Sequence, residues 1–189
     1  MKERIVAIAK QSAEVQRAAF EKNAAALEEF SQVVIKAFQN NNRVFFFGNG
    51  GSAADSQHIA AEFIGRFQKE RRALPAIALT TDSSILTCLS NDYSYDIVFA
   101  RQIEALGRLG DVAVGITTSG KSTNVLKAFE KAKTMGMTTV VFTGGDGGPA
   151  AQIADISIIV PSKVTARIQE SHIIMFHAMC EVVENAFAG

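Results

Sequence analysis

Residues 44–62 read VFFFGNGGSAADSQHIAAE: a hydrophobic run, a glycine-rich loop and the start of a helix. This order is typical of an α/β domain with parallel strands. A helix N-terminus presents backbone N–H groups and the positive end of the helix dipole, so it suits a phosphate or another anion. His58 and Glu62 lie four residues apart on the predicted helix and therefore share one face. The stretch thus predicts an anion site beside a titratable pair.

Similar hydrophobic runs predict the rest of the sheet. They are continuous rather than alternating, which indicates strands that are covered on both faces. We therefore predict an α/β fold, a three-layer αβα sandwich around a five-stranded, mostly parallel sheet. The predicted strands are 43–47, 75–80, 111–117, 138–143 and 156–160. The predicted helices are about 53–66, 83–90, 96–106, 122–135 and 166–187.

The stretch 2–40 precedes the sheet and is rich in Ala, Glu, Gln and Lys. It predicts two helices, the second over about 23–40, with apolar residues at helical spacing. Helices between the strands already cover both faces of such a sheet, so this extra apolar surface is expected to pack against other copies of the chain. We expect a single domain over 1–189, with 1–40 used in oligomerisation and 41–189 forming the sheet and the catalytic part.

The composition limits the function classes. Lys and Arg together number 19, as do Asp and Glu, so the chain has no excess of positive charge. The sequence therefore predicts no basic surface that would bind nucleic acid or an acidic membrane. No apolar run reaches the ~18 residues of a membrane helix, and the first residues lack a signal-peptide core. Cys88 and Cys180 show no paired spacing. A cytoplasmic location follows as the expectation.

A second polar loop is predicted where the third strand ends, at residues 117–122, TTSGKS. Residues 115–122 also fit the nucleotide-binding pattern G-x-x-x-x-G-K-[ST], which would indicate an ATPase. We disfavour that interpretation because Gly115 and Ile116 still belong to the predicted strand. The first loop fits the dinucleotide pattern G-x-G-x-x-A, but the acidic residue expected about 20 positions later is missing. Two hydroxyl-bearing loops in one sheet favour a phosphorylated small molecule.

The last predicted helix carries Gln169, Ile173 and His177 along one ridge, with His172 pointing elsewhere. A histidine among apolar residues is more often a hydrogen-bonded core residue than a functional one, and both alternatives stay open for His177. Glu62 is unusual in the apolar segment Ile-Ala-Ala-Glu-Phe-Ile. A buried carboxylate needs a partner, which His58, His177 or a metal ion would supply.

Taken together, these residues resemble the sugar-isomerase (SIS) domain family and, within it, the phosphoheptose isomerases. The resemblance covers nearly the whole chain. It rests on Gly48-Asn49-Gly50-Gly51-Ser52, His58-x-x-x-Glu62, Asn91-Asp92, Thr118-Ser119-Gly120-x-Ser122, Ala166-Arg167-Ile168-Gln169-Glu170 and His177. It implies a five-stranded parallel sheet and a homotetramer with active sites at subunit contacts. The implied reaction converts sedoheptulose 7-phosphate to D-glycero-D-manno-heptose 7-phosphate, on the route to the heptose of lipopolysaccharide core.

The resemblance also implies roles for individual residues. Isomerisation through an enediol needs a base at carbon and an acid at the carbonyl oxygen, for which we assign Glu62 and His177. One zinc ion per subunit would bind to His58, Glu62, Gln169 and His177, as a catalytic, structural or adventitious ion; no nucleotide is expected. The expected substrate-binding residues are Asn49, Gly50, Gly51, Ser52, Glu62, Asn91, Asp92, Thr117, Thr118, Ser119, Ser122 and Gln169.

Two non-catalytic alternatives remain at this point. One is an SIS-domain protein that only binds phosphosugars. The other is a tetrameric protein of the same fold that associates with the initiator of chromosome replication and shares the Ala-Arg-Ile-Gln-Glu stretch. The latter lacks counterparts of Glu62 and His177, so the presence of both residues here favours the enzyme.

Overall fold

The computed structural model describes residues 1–188, which fold as seven α-helices and five strands. A short 3₁₀ turn, Tyr95–Ile97, precedes the fourth helix. The strands are β1 Val44–Gly48, β2 Ala76–Ala78, β3 Val112–Ile116, β4 Thr138–Gly144 and β5 Ile156–Val160. The helices are α1 Lys2–Gln39, α2 Gly51–Ile64, α3 Ser83–Asp92, α4 Val98–Leu106, α5 Thr123–Thr134, α6 Gly148–Ile153 and α7 Thr165–Asn185.

All five strands are parallel, in the order β2-β1-β3-β4-β5. The central strands are buried at every position because helices cover both faces, which is why their sequences are continuously apolar. Gly48 at the end of β1 is paired with Ile116 at the end of β3. The two polar loops that follow these strands therefore lie side by side.

Each face of the sheet has its own hydrophobic cluster. Phe46 belongs to the cluster beneath α1, α2 and α7, and Phe45 and Phe47 belong to the cluster beneath α4, α5 and α6. This arrangement confirms the predicted three-layer αβα sandwich. The helices that carry the predicted catalytic pair, α2 and α7, pack against each other on one face.

The predicted break in the N-terminal segment is wrong, since α1 is one helix of 38 residues. Its sequence contains neither Gly nor Pro. Asn23, at the predicted start of a second helix, instead turns its amide toward the edge strand β5. There it accepts from the N–H of Ile159 at 2.9 Å and donates to the Ile159 carbonyl at 3.1 Å.

Two further details differ from the prediction. β2 is shorter than expected because it is an edge strand that ends in a turn. The short helix α6, which begins within the run Gly147-Gly148-Pro149, was not among the predicted helices. In the part of the chain that the structure describes, no helix has both the length and the apolar character to cross a membrane.

Candidate active site

The glycine loop between β1 and α2 needs its glycines for two reasons. Gly50 has φ +58°, and a Cβ on Gly48 would lie 2.6 Å from the Ile116 carbonyl oxygen. The expectation of free N–H groups here holds only in part. The N–H groups of Ser52 and Ala53 bond to the carbonyls of Asn49 and Gly50, whereas none of the described residues accepts from the Gly51 N–H.

The loop after β3 is more open to an anion. Residues Ser122, Thr123 and Asn124 begin α5, and their N–H groups donate no hydrogen bond within residues 1–188. The hydroxyls of Thr117 and Ser122 lie 3.0 Å apart, and the Ser119 hydroxyl is exposed. Free donors at the start of a twelve-residue helix, beside hydroxyls, are suited to phosphate.

The nucleotide pattern over 115–122 does not form a phosphate-binding loop of that type. Gly115 and Ile116 are buried residues of β3, as predicted. Gly115 is packed beneath α5, since an added Cβ would lie 2.6 Å from the Phe129 ring and 2.8 Å from Val125. The first half of the pattern is therefore core, and its glycine serves helix–sheet packing.

Asn124 and Tyr95, which the sequence did not single out, join the two polar loops. Asn49 and Asn124 exchange two amide hydrogen bonds, each 2.9 Å long, and the Tyr95 hydroxyl donates to Asn49 Oδ1 at 3.1 Å. The partners are 75 and 46 residues apart in sequence, so no local pattern marks them.

The predicted histidine and carboxylate residues of α2 and α7 converge. His58 Nε2 lies 3.2 Å from Glu62 Oε1 and 3.5 Å from His177 Nε2, and the ligand atoms of all three residues lie within 4.8 Å of one another. The Glu62 side chain is 23% exposed and that of His58 is 46% exposed. We call these three residues the His–Glu–His cluster.

The two histidines of α7 lie in different surroundings. Burial and the neighbouring His58 lower the pKa of His177, although Glu62 opposes them. His177 is therefore mainly neutral near pH 7. His172 points to the opposite side, as predicted, and is the core histidine of this helix: it is fully buried and contacts the Thr143 carbonyl.

Gln169 and Asp55 complete the surroundings of the cluster. The Gln169 amide lies directly against Gly51, where any larger residue would displace it. Asp55 lies one turn before His58, and its Oδ2 is buried without a hydrogen-bond partner among the described residues. Burial raises the pKa of Asp55 to about 6, although His58 opposes this. Sequence reasoning missed Asp55, although it shares a helical ridge with Gly51, His58 and Glu62.

Asn91 and Asp92 are not brought into this arrangement within one chain. They are the last residues of α3, both exposed, and the Asn91 amide donates to Asp92 at 2.8 Å. In residues 1–188, neither forms a hydrogen bond with the polar loops or with the His–Glu–His cluster. Their predicted contact with the sugar remains a prediction.

Comparison with known proteins agrees with the fold. The SIS domain family model matches residues 9–144. Phosphoheptose isomerase of Aquifex aeolicus (strain VF5) is 55% identical over 184 residues, which cover 97% of this chain and 96% of the relative. Among solved structures, phosphoheptose isomerase from Neisseria gonorrhoeae has a TM-score of 0.92 at 41% identity, covering 97% of this chain and 98% of that one. The Francisella tularensis enzyme has a TM-score of 0.93 at 33% identity, covering 97% of each. The chain therefore belongs to the SIS-domain family and, within it, to the phosphoheptose isomerases.

Proposed function

We propose that this enzyme converts sedoheptulose 7-phosphate to D-glycero-D-manno-heptose 7-phosphate, for synthesis of the heptose of lipopolysaccharide core. The observation that carries the proposal is the convergence of Glu62 and His177 from two helices, on the sheet that also carries the two polar loops. A carboxylate and an imidazole supply the base and the acid that an aldose–ketose isomerisation requires.

Glu62 is the proposed base that moves the proton between C1 and C2 of the sugar. His177 is the proposed acid at the carbonyl oxygen. Its lowered pKa keeps the imidazole neutral near pH 7, and a neutral imidazole can polarise a carbonyl by donating its N–H, as in triosephosphate isomerase. The two groups come from different helices, so each is positioned by the packing of its own helix.

The phosphate is proposed to bind at the loop after β3, where Thr117, Thr118, Ser119 and Ser122 place hydroxyls beside free backbone donors. Ser52 completes this group from the glycine loop. Fixing the phosphate positions the distant carbonyl end of the sugar and so contributes to the rate. The remaining proposed contacts to the sugar are Asn49, Gly50, Gly51, Asn91, Asp92 and Gln169.

The His–Glu–His cluster also fits a divalent metal. Ligand atoms of tetrahedral zinc lie about 3.3 Å apart for bonds of about 2.0 Å, and the separations of 3.2 and 3.5 Å in the cluster agree with this. Two imidazoles and a carboxylate are ordinary zinc ligands, and Gln169 is the proposed fourth. A bound zinc ion would act as a Lewis acid toward the substrate carbonyl. Ligation competes with proton transfer by Glu62 and His177, so metal content and activity must be measured together.

The proposed assembly is a homotetramer in the cytoplasm. Residues 1–11 of α1 are all exposed, including Ile5, Val6 and Ile8. An apolar groove of about 420 Å³ lies between α1 and α7, lined by residues such as Leu27, Ile35 and Met179. These surfaces suit other copies of the chain. Cys88 and Cys180 are both free thiols, as a reducing compartment permits.

The test is incubation with sedoheptulose 7-phosphate, with the aldose product followed by NMR. Glu62→Gln keeps the shape of the side chain and removes the base, so turnover should fall by ~10²-fold or more. Glu130→Gln, an exposed residue of α5, is the matched control and should retain full turnover. Binding of the sugar without conversion in the unaltered protein would instead support a phosphosugar-binding protein.

A further inference from the structure

The segment 65–75 that joins α2 to β2 has no regular secondary structure, yet it is fixed by a buried carboxylate. Glu184 on α7 accepts from the backbone N–H groups of Phe67, Gln68 and Lys69, at 2.8, 2.7 and 2.8 Å. Burial alone would raise the pKa of Glu184, but the three backbone donors and Arg71 outweigh it and hold the pKa below its ordinary value. Glu184 is therefore ionised and anchors this segment to α7.

Arg71 is the second part of the anchor. Its side chain is almost fully buried, and its Nε lies 3.6 Å from Glu184 Oε1. The guanidinium donates to the carbonyls of Glu62 at 2.7 Å, Phe63 at 2.8 Å and Gly65 at 2.8 Å. These carbonyls end α2 and have no partner within the helix. Arg71 thus caps the helix that carries the proposed base. We call Arg71 and Glu184 the Arg–Glu clamp.

The clamp contacts the site at two points. Arg71 bonds directly to the backbone of Glu62 in the last turn of α2. Glu184 holds the backbone of Phe67, whose ring centroid lies 5.4 Å from that of His177. Glu184 is itself two turns beyond His177 on α7. One buried ion pair therefore links the helix end at Glu62 to the aromatic neighbour of His177.

We propose that Arg71 and Glu184 are positioning residues, which set the separation of Glu62 and His177 for the reaction. This inference rests on the proposed function. Both side chains are almost fully buried, and within residues 1–188 neither forms a hydrogen bond with the polar loops, so neither is expected to contact the sugar or its phosphate. Loosening the clamp should lower kcat while KM for the phosphosugar changes little, because misplacing a catalytic group by about 1 Å lowers the rate without removing a binding contact.

The experiment compares Glu184→Gln with Asp111→Asn. Asp111 is an equally buried carboxylate that accepts from the backbone N–H groups of Arg43 and Arg108, but it precedes β3 at the opposite end of the sheet. kcat per folded protein should fall about 10- to 100-fold in Glu184→Gln and stay unchanged in Asp111→Asn. The ring-proton NMR signals of His177, which report the Phe67 ring, should move only in Glu184→Gln.

Arg71→Lys keeps the positive charge but cannot donate to the carbonyls of Glu62, Phe63 and Gly65 together, so it tests the clamp if Glu184→Gln does not fold. It should lower kcat and shift the same His177 signals. Unchanged kcat and unchanged His177 signals in the folded variants would reduce the clamp to a purely structural role. Absence of turnover in the unaltered protein would overturn the proposed function instead, and the His177 signals would still show whether the clamp positions the ring.

Discussion

We predict that His172 lowers the stability of the protein in acid. Its Nε2 lies 3.1 Å from the Thr143 carbonyl, which only accepts, so the proton is on Nε2. Its Nδ1 is buried with no partner among the described residues. Burial lowers the pKa of His172 to about 4, although the Thr143 carbonyl opposes this. An unfolded histidine titrates near 6.5, so below that pH the unfolded chain binds a proton that His172 does not bind in the native protein.

The contribution of His172 to the free energy of unfolding is therefore undiminished above about pH 6.5 and falls as the pH is lowered toward 4. Between about pH 7.5 and about pH 5 the loss attributable to His172 is about 2 kcal/mol. Burial raises the pKa of Asp55 to about 6, so Asp55 acts in the opposite direction and reduces the loss seen in the unaltered protein. Comparison with His172→Leu removes the contribution of Asp55, since both proteins contain it.

The assay is urea unfolding of the unaltered protein and His172→Leu at both pH values. The substitution also removes the hydrogen bond to Thr143, which lowers stability equally at each pH. The free energy of unfolding should therefore decline about 2 kcal/mol less in His172→Leu between the two pH values. Equal declines in the two proteins would refute a neutral, desolvated His172 in the native state.

Three further outcomes test the site and the assembly. Ser119→Ala should weaken phosphosugar binding by ~1.5–3 kcal/mol, the usual cost of losing a hydrogen bond to a charged group. Calorimetry of the unaltered protein with ATP and magnesium should show no binding. Micromolar affinity for ATP would contradict the assignment of this loop to a sugar phosphate. Protein purified without chelator should contain near-stoichiometric zinc that His58→Ala loses, and a metal-free protein with full activity would leave only the acid–base pair. Deleting residues 1–11, all exposed in one chain, should lower both the assembly state, measured by light scattering, and the activity. An unchanged assembly state and unchanged activity would show that the subunits do not meet through this segment.

The sheet could be predicted closely because its strands are continuous apolar runs bounded by polar turns. Four of the predicted strands agree with the structure to within about a residue at each end, since burial on both faces leaves little freedom in such a run. Where local signals are weak, the prediction failed. The second helix predicted over about 23–40 is part of the single helix α1, and Asn23 at its predicted start uses its amide to bond to β5.

The His–Glu–His cluster was predictable in part. The spacing of His58 and Glu62 fixes their common face on α2, and the apolar period of α7 places His177 on a ridge with Gln169. That the two ridges meet depends on how both helices pack on the sheet, which the resemblance supplied and the spacing did not. Asn124, Tyr95 and the Arg–Glu clamp lay beyond reach because each acts through a partner far away in sequence.

The packing beneath the cluster explains why it is well defined. Glu62 is followed by Phe63 and His177 is preceded by Phe176, and adjacent positions on a helix point about 100° apart, so the phenylalanines enter the core while their neighbours face the site. Both rings pack on Phe46 of β1, with centroids 6.2 and 6.1 Å from it.

Phe46 is therefore the common support of the two helices beneath the site, and the Arg–Glu clamp joins them at the end of α2. Displacement of either helix would separate Glu62 from His177 and would also disrupt aromatic packing or expose an ion pair. Both consequences are costly in a closely packed interior, where core truncation of phenylalanine costs about 3–5 kcal/mol. The same contacts that stabilise this face of the sheet thus hold the proposed base and acid at one separation.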